Sequence, residues 1–513
     1  MFLPYLGLLV IPLVLFAGQA AYNLFLHPLR NYAGPSYAAA FKWPWYWHRV
    51  RGTQATWTAE LHRRYGHVVR VAPDHLSYTN VDAWKDIYGH RTSAGRGNLP
   101  KDLRLYTPPS VGRNSILTAD DAVHARVRRS IAHAFSDKAL AEQEPLIRRH
   151  IDLFVEKLRD AASVPGGESA VDIVRFLQFI AFDIMTDMTL GQSLGLLERS
   201  DFVPWVAGAL SAIKFIGVVG TLQSISPLLM PLITRTVLRG IKEKRAAHAQ
   251  FTKEHVDMRL ARDTTRPDIW TFVLRNTAKD AAKGGLDRDE MHANASALIA
   301  AGTETTATLI SGACWLLCTN KDKLTKLNEE VREAARLEGY PGMHVLTRLP
   351  YLNACLQEAL RVYPPAPNGL PRITPPEGAV ICGKPVAGKT TVYVSHYAAY
   401  HSEANFFDPR SFRPERWLPD PDECFSNDQR NVLEPFSFGP RNCVGKNLAW
   451  HEMRAILANL VLNFDMILDE RTDKHWIDQT SSLVWDKKRL LLKLKPSRAN
   501  LNTQTEEGRR ILG

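Results

Sequence analysis

Residues 436–445 read FSFGPRNCVG, and no other stretch of the chain narrows the possible folds as far. Cys443 sits in a turn with Gly439 and Gly445 on either side and Arg441 two residues earlier. The helix-like run NLAWHEMRAILANLVLNF (447–464) follows at once. A disulfide needs a partner, and a zinc knuckle needs further ligands at short spacing. Cys443 has neither, since the nearest other cysteine is Cys424. Turn amides and the start of the following helix can stabilise a thiolate at this point. Glycines there let the backbone come close to something flat and bulky.

A single thiolate, held rigidly, shielded by Phe436 and accompanied by a cation, is what a haem iron accepts as its proximal ligand. A buried structural cysteine is the competing reading, and for an isolated cysteine it would be the favourite. The FxxGxRxCxG spacing counts against it.

The rest of the chain reads as mainly α with small β-sheets. Apolar residues recur at helical spacing in AEQEPLIRRHIDLFVEKLRD (141–160) and RDEMHANASALIAAGTETTATLISGACWLLC (288–318). Strand-like alternation is confined to HVVRVAP (67–73), TTVYVSH (390–396) and RLLLKLKP (489–496). No low-complexity linker or internal repeat divides the 513 residues, so one large domain is expected.

The first 29 residues address location. Residues 2–29 contain no Asp, Glu, Lys or Arg, which is long enough for a membrane span. The first cations, Arg30, Lys42, Arg49 and Arg51, come after it, which places the remainder on the cytosolic side. Six scattered cysteines agree with a reducing compartment. The expected organisation is a transmembrane anchor (1–29), a Pro/Gly-containing basic exit segment (30–52), a catalytic domain (53–498) and a polar tail (499–513). The net charge of +11 is not gathered into a basic block with interleaved aromatics, so nucleic acid is not an expected partner. A basic surface facing membrane lipid or an acidic protein is.

FSFGPRNCVG resembles the haem-binding loop of the cytochrome P450 superfamily, and three further segments match in order, so the resemblance covers nearly the whole chain. AGTETT (301–306) resembles the centre of the long helix crossing the distal haem face. Ala301 and Thr305 share a helix face and leave room for dioxygen, and Glu304 would feed protons inward. A bend caused by threonines bonding back to the preceding turn is the alternative. LQEALRVYPP and FRPERW resemble the segments that supply a buried Glu–Arg–Arg cluster, here Glu358, Arg361 and Arg416, with a structural role. His124 and Arg128 in HARVRRSIAHAFS, together with Arg372 and Arg441, match positions that hold the haem propionates, which need cationic partners. Phe436, Gly439 and Ala301 complete the cofactor contacts.

The resemblance implies a haem-thiolate monooxygenase with haem b, Cys443 as axial iron ligand, and dioxygen as oxidant. Electrons would come from NADPH through a separate flavoprotein, the NADPH–cytochrome P450 reductase, with cytochrome b5 as a further donor. No Rossmann GxGxxG is visible in the chain. The partner reductase would dock where Lys446 and neighbouring arginines face outward. AFDIMTDMTLGQSLGLLE (181–198) and LHRRYGHVVRVAP (61–73) resemble fungal members of secondary metabolism, anchored by one pass in the endoplasmic reticulum membrane with the catalytic domain cytosolic. The substrate class is a lipophilic small molecule. The apolar run 202–233 is expected to be a helix pair roofing the substrate channel, not a second span, because it contains a lysine, glycines and prolines. Two rivals stand beside this reading: a reductase-independent haem-thiolate isomerase or dehydratase, and a non-catalytic haem sensor or carrier.

Overall fold

A computed structural model describes residues 3–90, 98–106, 113–163, 170–203, 206, 219–222, 224–225, 239–262, 264–279, 285–339 and 341–497. The longer helices of the first half are α1 (Leu3–Ala21), α2 (Trp43–Arg51), α3 (Gln54–Tyr65), α4 (Asp121–Ala132), α5 (Asp137–Ala162) and α6 (Ile173–Leu190). Those of the second half are α7 (Arg239–Leu260), α8 (Ile269–Lys279), α9 (Arg288–Thr319), α10 (Lys321–Glu338), α11 (Pro350–Val362) and α12 (Lys446–Asn463). The chain is thus mostly helical with small sheets, as its periodicity predicts.

Helix α9 is the axis of the molecule. Its start is fixed by a full capping box: Asp287 accepts from the Glu290 amide at 2.8 Å, and Glu290 accepts from the Asp287 amide at 3.0 Å. Its apolar residues are spread around the helix, the pattern of a buried helix, not a surface one. It packs against α6, α7, α10, α11 and α12. Gly302 makes the α6 contact possible, since a Cβ there would lie 2.6 Å from the Met185 sulfur.

Three small sheets flank the helices. Strands β1 (Val68–Ala72), β2 (His75–Tyr78), β4 (Arg372–Ile373) and β7 (Thr391–Val394) form a sheet in the order β1-β2-β7-β4. Strand β3 (Ala170–Asp172) pairs with β9 (Leu491–Pro496), and β9 with β8 (Phe464–Leu468). Strands β5 (Ala379–Ile381) and β6 (Lys384–Val386) make a hairpin. The three strand-like runs of the sequence correspond to β1, β7 and β9.

In β1 the polar member of the alternation does not face solvent. Arg70 is buried, and its guanidinium donates to the Pro73 carbonyl at 2.8 and 3.1 Å and to the Asn23 carbonyl at 2.9 Å. This contact bears on the apolar start of the chain, which departs from the unbroken span expected over residues 2–29. Helix α1 ends at Ala21, a π-helical turn covers Tyr22–Leu26, and the backbone turns extended at His27. Asn23 is buried and its side-chain amide donates to the Ala40 carbonyl at 2.7 Å; Leu29 is buried as well. Backbone groups that a lipid-embedded helix would satisfy internally are here met by the globular body. Among the described residues no helix is long and apolar enough to cross a membrane. The expected roof over 202–233 lies largely outside the described residues, as do 107–112 and the tail 499–513.

Candidate active site

The Cys443 loop is built against backbone. One 3-10 turn (Gly439–Arg441) precedes it, the Cys443 amide donates to the Phe436 carbonyl at 2.8 Å, and α12 begins at Lys446. Gly439 has φ +72° and lies so close to Tyr88 that a Cβ would stand 2.0 Å from its carbonyl oxygen. Only glycine meets both conditions. Gly445 differs: its nearest neighbour is the Phe135 ring at 3.8 Å, an ordinary contact. Phe436 packs on Trp450, with Lys446 over its ring.

All six cysteines are free. Cys443 has accessible surface, yet desolvation is the largest influence on its thiol and raises it; the Gly445 amide, Arg128 and Lys446 act the other way. A turn amide is present at the sulfur, but the cations acting on it are Arg128 and Lys446, whereas the sequence pointed to Arg441, which turns to Asp121 and the Ala119 carbonyl; together they do not outweigh burial. Iron ligation would supply the remaining stabilisation of a thiolate, as metals do for coordinating thiols.

Beside this loop lies a concentration of positive charge. His124 and Arg128 on α4 line a cavity of about 550 Å³ with His90, Asn98, Asp121 and Arg441. Arg128 donates to the Asn442 carbonyl at 2.6 Å and to its side chain, so it grips the residue next to Cys443. Arg441 donates to Asp121 and to the Ala119 carbonyl. Arg372 on β4 donates to the Leu99 carbonyl at 3.2 Å and lies over the Tyr88 ring. Burial, then Arg441, Lys101 and Arg128, push His124 down to about 4. Burial, then Arg372 and Arg441, push Lys101 down to about 7. Two of these donors, Arg372 Nε and Arg441 Nη1, are buried with no partner among the described residues. Buried unpaired guanidinium N–H groups are costly, and a ligand with carboxylates would satisfy them. The donor set fits the two propionates of haem, with the free Cys443 at hand for its iron. Lys101 was not legible in the sequence; its place in the cluster comes from its β-bridge to Arg372, across a large separation in the chain.

On α9 the residues of AGTETT divide by face. Ala301 and Thr305 are accessible and stand together, and the Thr305 hydroxyl donates to the Ala301 carbonyl at 2.7 Å. Thr303 bonds back to Ile299 in the same way, so the local back-bonding weighed in the sequence is realised. Glu304 turns elsewhere. Its Oε1 accepts from Gln178 on α6 at 2.8 Å, and its Oε2 accepts from Lys487 at 2.7 Å. Thr306 donates to Glu452 on α12. Gln178 shows only as a polar residue in an apolar run, and Lys487 and Glu452, in the charged stretches WDKKR and WHEMR, carry no distinguishing sequence signal.

Glu358, Arg361 and Arg416 do meet, and all three are fully buried. Arg361 pairs with Glu358 at 2.7 and 2.9 Å, Arg416 approaches it at 3.2 Å, and Trp417 Nε1 donates to it at 2.8 Å. Arg361 also donates to the carbonyls of Tyr400, Pro409 and Ser411, and Arg416 pairs with Asp428. Burial acts to raise the Glu358 carboxyl, but Arg361 and Arg416 overcome it and hold the group below its usual value. The cluster staples α11 to the segment leading into the Cys443 loop.

The family model described as Cytochrome P450 matches residues 34–494. The chain is 41% identical over 475 residues to cytochrome P450 monooxygenase efuB of Hormonema carpetanum, covering 92% of this chain and 93% of that one. It is 41% identical over 500 residues to cytochrome P450 monooxygenase AMT3 of Alternaria alternata, covering 95% and 98%. It is 39% identical over 477 residues to cytochrome P450 monooxygenase FUM2 of Gibberella moniliformis, covering 93% and 100%.

Proposed function

The chain belongs to the cytochrome P450 family as a monooxygenase with haem b, dioxygen and a redox partner, and we propose that it oxidises a lipophilic intermediate of fungal secondary metabolism. In this reading NADPH supplies the electrons through a separate flavoprotein reductase, with cytochrome b5 as a second donor. Haem, when bound, activates dioxygen so that one atom enters the substrate and the other leaves as water. The remaining work belongs to the chain.

Cys443 would hold the haem iron through its thiolate. Its loop is held by the Phe436 carbonyl and by the Arg128 grip on Asn442. Arg372 and Arg441 offer their unpartnered donors to the propionates, with His124 and Lys101 beside them. Ala301 would leave space beside the cofactor for dioxygen, and Thr305 presents a hydroxyl that can exchange its Ala301 bond for one to a ligand. Glu304 is the proposed proton carrier to that hydroxyl. The Glu358 cluster has a structural part. The observation that carries the assignment is the pair of buried arginine donors, without partners among the described residues, beside a free cysteine in a glycine-bearing loop.

The same reading puts the protein on the endoplasmic reticulum membrane through a single N-terminal anchor, with the catalytic body on the cytosolic side. Supporting it is the apolar surface that α1 leaves open, with Ile11, Leu13, Val14 and Leu15 each more than 60% exposed. Because Asn23 and Leu29 pack on the body, the proposed anchor is limited to the residues up to Ala21. Extraction of the full chain from microsomes by detergent but not by alkaline carbonate would bear this out, and release by carbonate would remove it.

The function is tested by metabolite profiling of a host that expresses this chain with a reductase, fed a lipophilic extract, against Cys443→Ala. A product one oxygen atom heavier than its precursor and absent from the control is expected. An isomer or dehydrated product that persists without the reductase would replace monooxygenation by rearrangement. A haem spectrum retained by Cys443→Ala with the native absorption would overturn the ligand assignment.

A further inference from the structure

Lys487 and Glu304 are separated by 183 residues, and both are almost completely buried. Lys487 Nζ donates to Glu304 Oε2 at 2.7 Å and to Thr308 Oγ1 at 2.8 Å. Gln178 occupies Oε1. Both carboxylate oxygens are thus engaged by residues outside α9, and neither bonds to Thr305, whose hydroxyl is on the Ala301 carbonyl. Asp486 and Tyr363 are the other titratable groups facing this pair.

Lys487 stands at the foot of a tight hairpin. The Asp486 amide donates to the Thr480 carbonyl at 2.8 Å, Thr480 donates to the Asp486 carboxylate at 3.0 Å, and Ser481 bridges Trp485. The Lys487 amide donates to the Trp485 carbonyl, and Trp485 Nε1 donates to Pro364. At the tip Leu483 is exposed. A displacement of this hairpin cannot leave Glu304 undisturbed, because withdrawing one partner of a buried ion pair strands the other charge. Stability alone gives little reason for the pair, since apolar replacements of buried ion pairs are often neutral or stabilising.

We propose that Lys487 is a positioning residue for the monooxygenase reaction: it holds the Glu304 carboxylate toward α6, and Glu304 turns to Thr305 only when the 480–487 segment lets it go. This rests on the reading of Glu304 as the proton carrier. Once released, the carboxylate takes one proton from solvent and gives it to the Thr305 hydroxyl oxygen, the hydroxyl hands its own proton on to the oxygen atom that leaves as water, and the carboxylate returns to Lys487. The hairpin therefore ties proton supply to the conformation of a wall far away in sequence.

The test uses the full haem-loaded chain with NADPH–cytochrome P450 reductase in detergent and no added substrate. NADPH consumption, peroxide release and the solvent deuterium isotope effect are followed across neutral pH for the native protein, Lys487→Met, Lys487→Arg and Glu304→Gln. The expected result is a change of about tenfold in peroxide per NADPH for Lys487→Met, a fraction of a full general-acid effect, with a displaced pH profile. Lys487→Arg should restore the native profile. Unfolding midpoints give a readout independent of turnover: Lys487→Met and Glu304→Gln should each lower the midpoint, and the double variant should lie above the sum of the two losses. Gln178→Leu, which frees the other oxygen, stands in if Lys487→Met does not fold, and it should displace the same profile. A native profile and isotope effect in Lys487→Met, with Glu304→Gln altered, would overturn the role of Lys487 and leave the proton carrier standing. If Glu304→Gln is also native, the proton-carrier reading itself falls.

Discussion

Thr306 donates its hydroxyl to Glu452 Oε2 at 3.1 Å, tying helix α9 to helix α12 through a carboxyl that is almost entirely buried. The second oxygen, Oε1, has no partner among the described residues. Burial pushes this carboxyl up from 4.5 to about 8, against the smaller opposing influence of the Thr306 bond. Burial thus favours the neutral form of Glu452, wedged between α9 and the helix that follows Cys443.

The sign of the resulting pH dependence follows from linkage. A group whose folded value is raised is fully accommodated below its unfolded value and costs stability as pH rises toward its folded value. Between about 4.5 and about 8 the native protein should lose on the order of 1.4 kcal/mol per pH unit relative to Glu452→Gln. Unfolding midpoints of the two proteins should therefore separate with rising pH and stop separating above about 8. Parallel curves would show that the carboxyl titrates normally.

Gly439 and Gly383 allow conformational strain to be separated from steric conflict. Both have φ +72°, but a Cβ at Gly383 meets nothing within 4 Å, whereas at Gly439 it meets the Tyr88 carbonyl at 2.0 Å. Gly383→Ala should cost about 1–2 kcal/mol, the ordinary penalty for a left-handed non-glycine residue. Gly439→Ala carries that penalty and must also move the Cys443 loop, so it should lower both the unfolding midpoint and the haem content of the purified protein. Equal effects at the two positions would mean that the loop yields freely.

The buried cluster around Glu358 should behave differently from the many surface pairs of the chain. Arg361→Met leaves the Glu358 carboxylate with Arg416, Trp417 and the Arg413 amide, one buried cation fewer, and also frees the carbonyls of Tyr400, Pro409 and Ser411. Breaking one side of such a pair costs about 3–5 kcal/mol, enough to remove much of a domain's stability. The yield of folded, haem-loaded protein should collapse. In contrast, Arg63→Met, at an exposed pair with Glu60, should change the midpoint by less than about 1 kcal/mol.

Much of this architecture was readable because its signals are local. The capping box at Asp287 and Glu290 lies within one helical turn, and FSFGPRNCVG is a single loop. The Glu358 and Arg361 pair sits on one face of α11 at a spacing the sequence displays. What remained hidden depends on separation. Lys487 reaches Glu304 across 183 residues and Arg70 reaches Asn23 across 47, with no periodicity to announce either. The second contact is why residues 22–29 read as membrane span but pack as domain: apolarity registers in sequence, and a partner for a buried carbonyl does not. The expected contact of Arg128 shows the same limit, since the charge was visible and its grip on Asn442 was not.

Arg372 supplies the most direct check on the cation cluster, because its two possible roles predict opposite behaviour of the haem-free and haem-loaded proteins. Its Nε is buried without a partner among the described residues, and burial, with Arg441 nearby, lowers its pKa, so in the haem-free chain the guanidinium is a liability. A stranded buried polar group costs about 1–3 kcal/mol, and Arg372→Met removes that cost while keeping most of the stem's packing. The haem-free variant should therefore be as stable as the native protein or more so. In the proposed role, the same change with haem bound would delete a charge-assisted bond to a carboxylate, a loss of about 1.5–3 kcal/mol. At about 1.4 kcal/mol per factor of ten, haem should leave the variant roughly ten to a hundred times faster. Haem transfer to an excess of apomyoglobin, followed by absorbance, measures that rate, and thermal unfolding of the haem-free proteins measures the other half. A variant that is destabilised without haem yet holds haem normally would show that Arg372 supports the β4 edge of the sheet and does not face the cofactor.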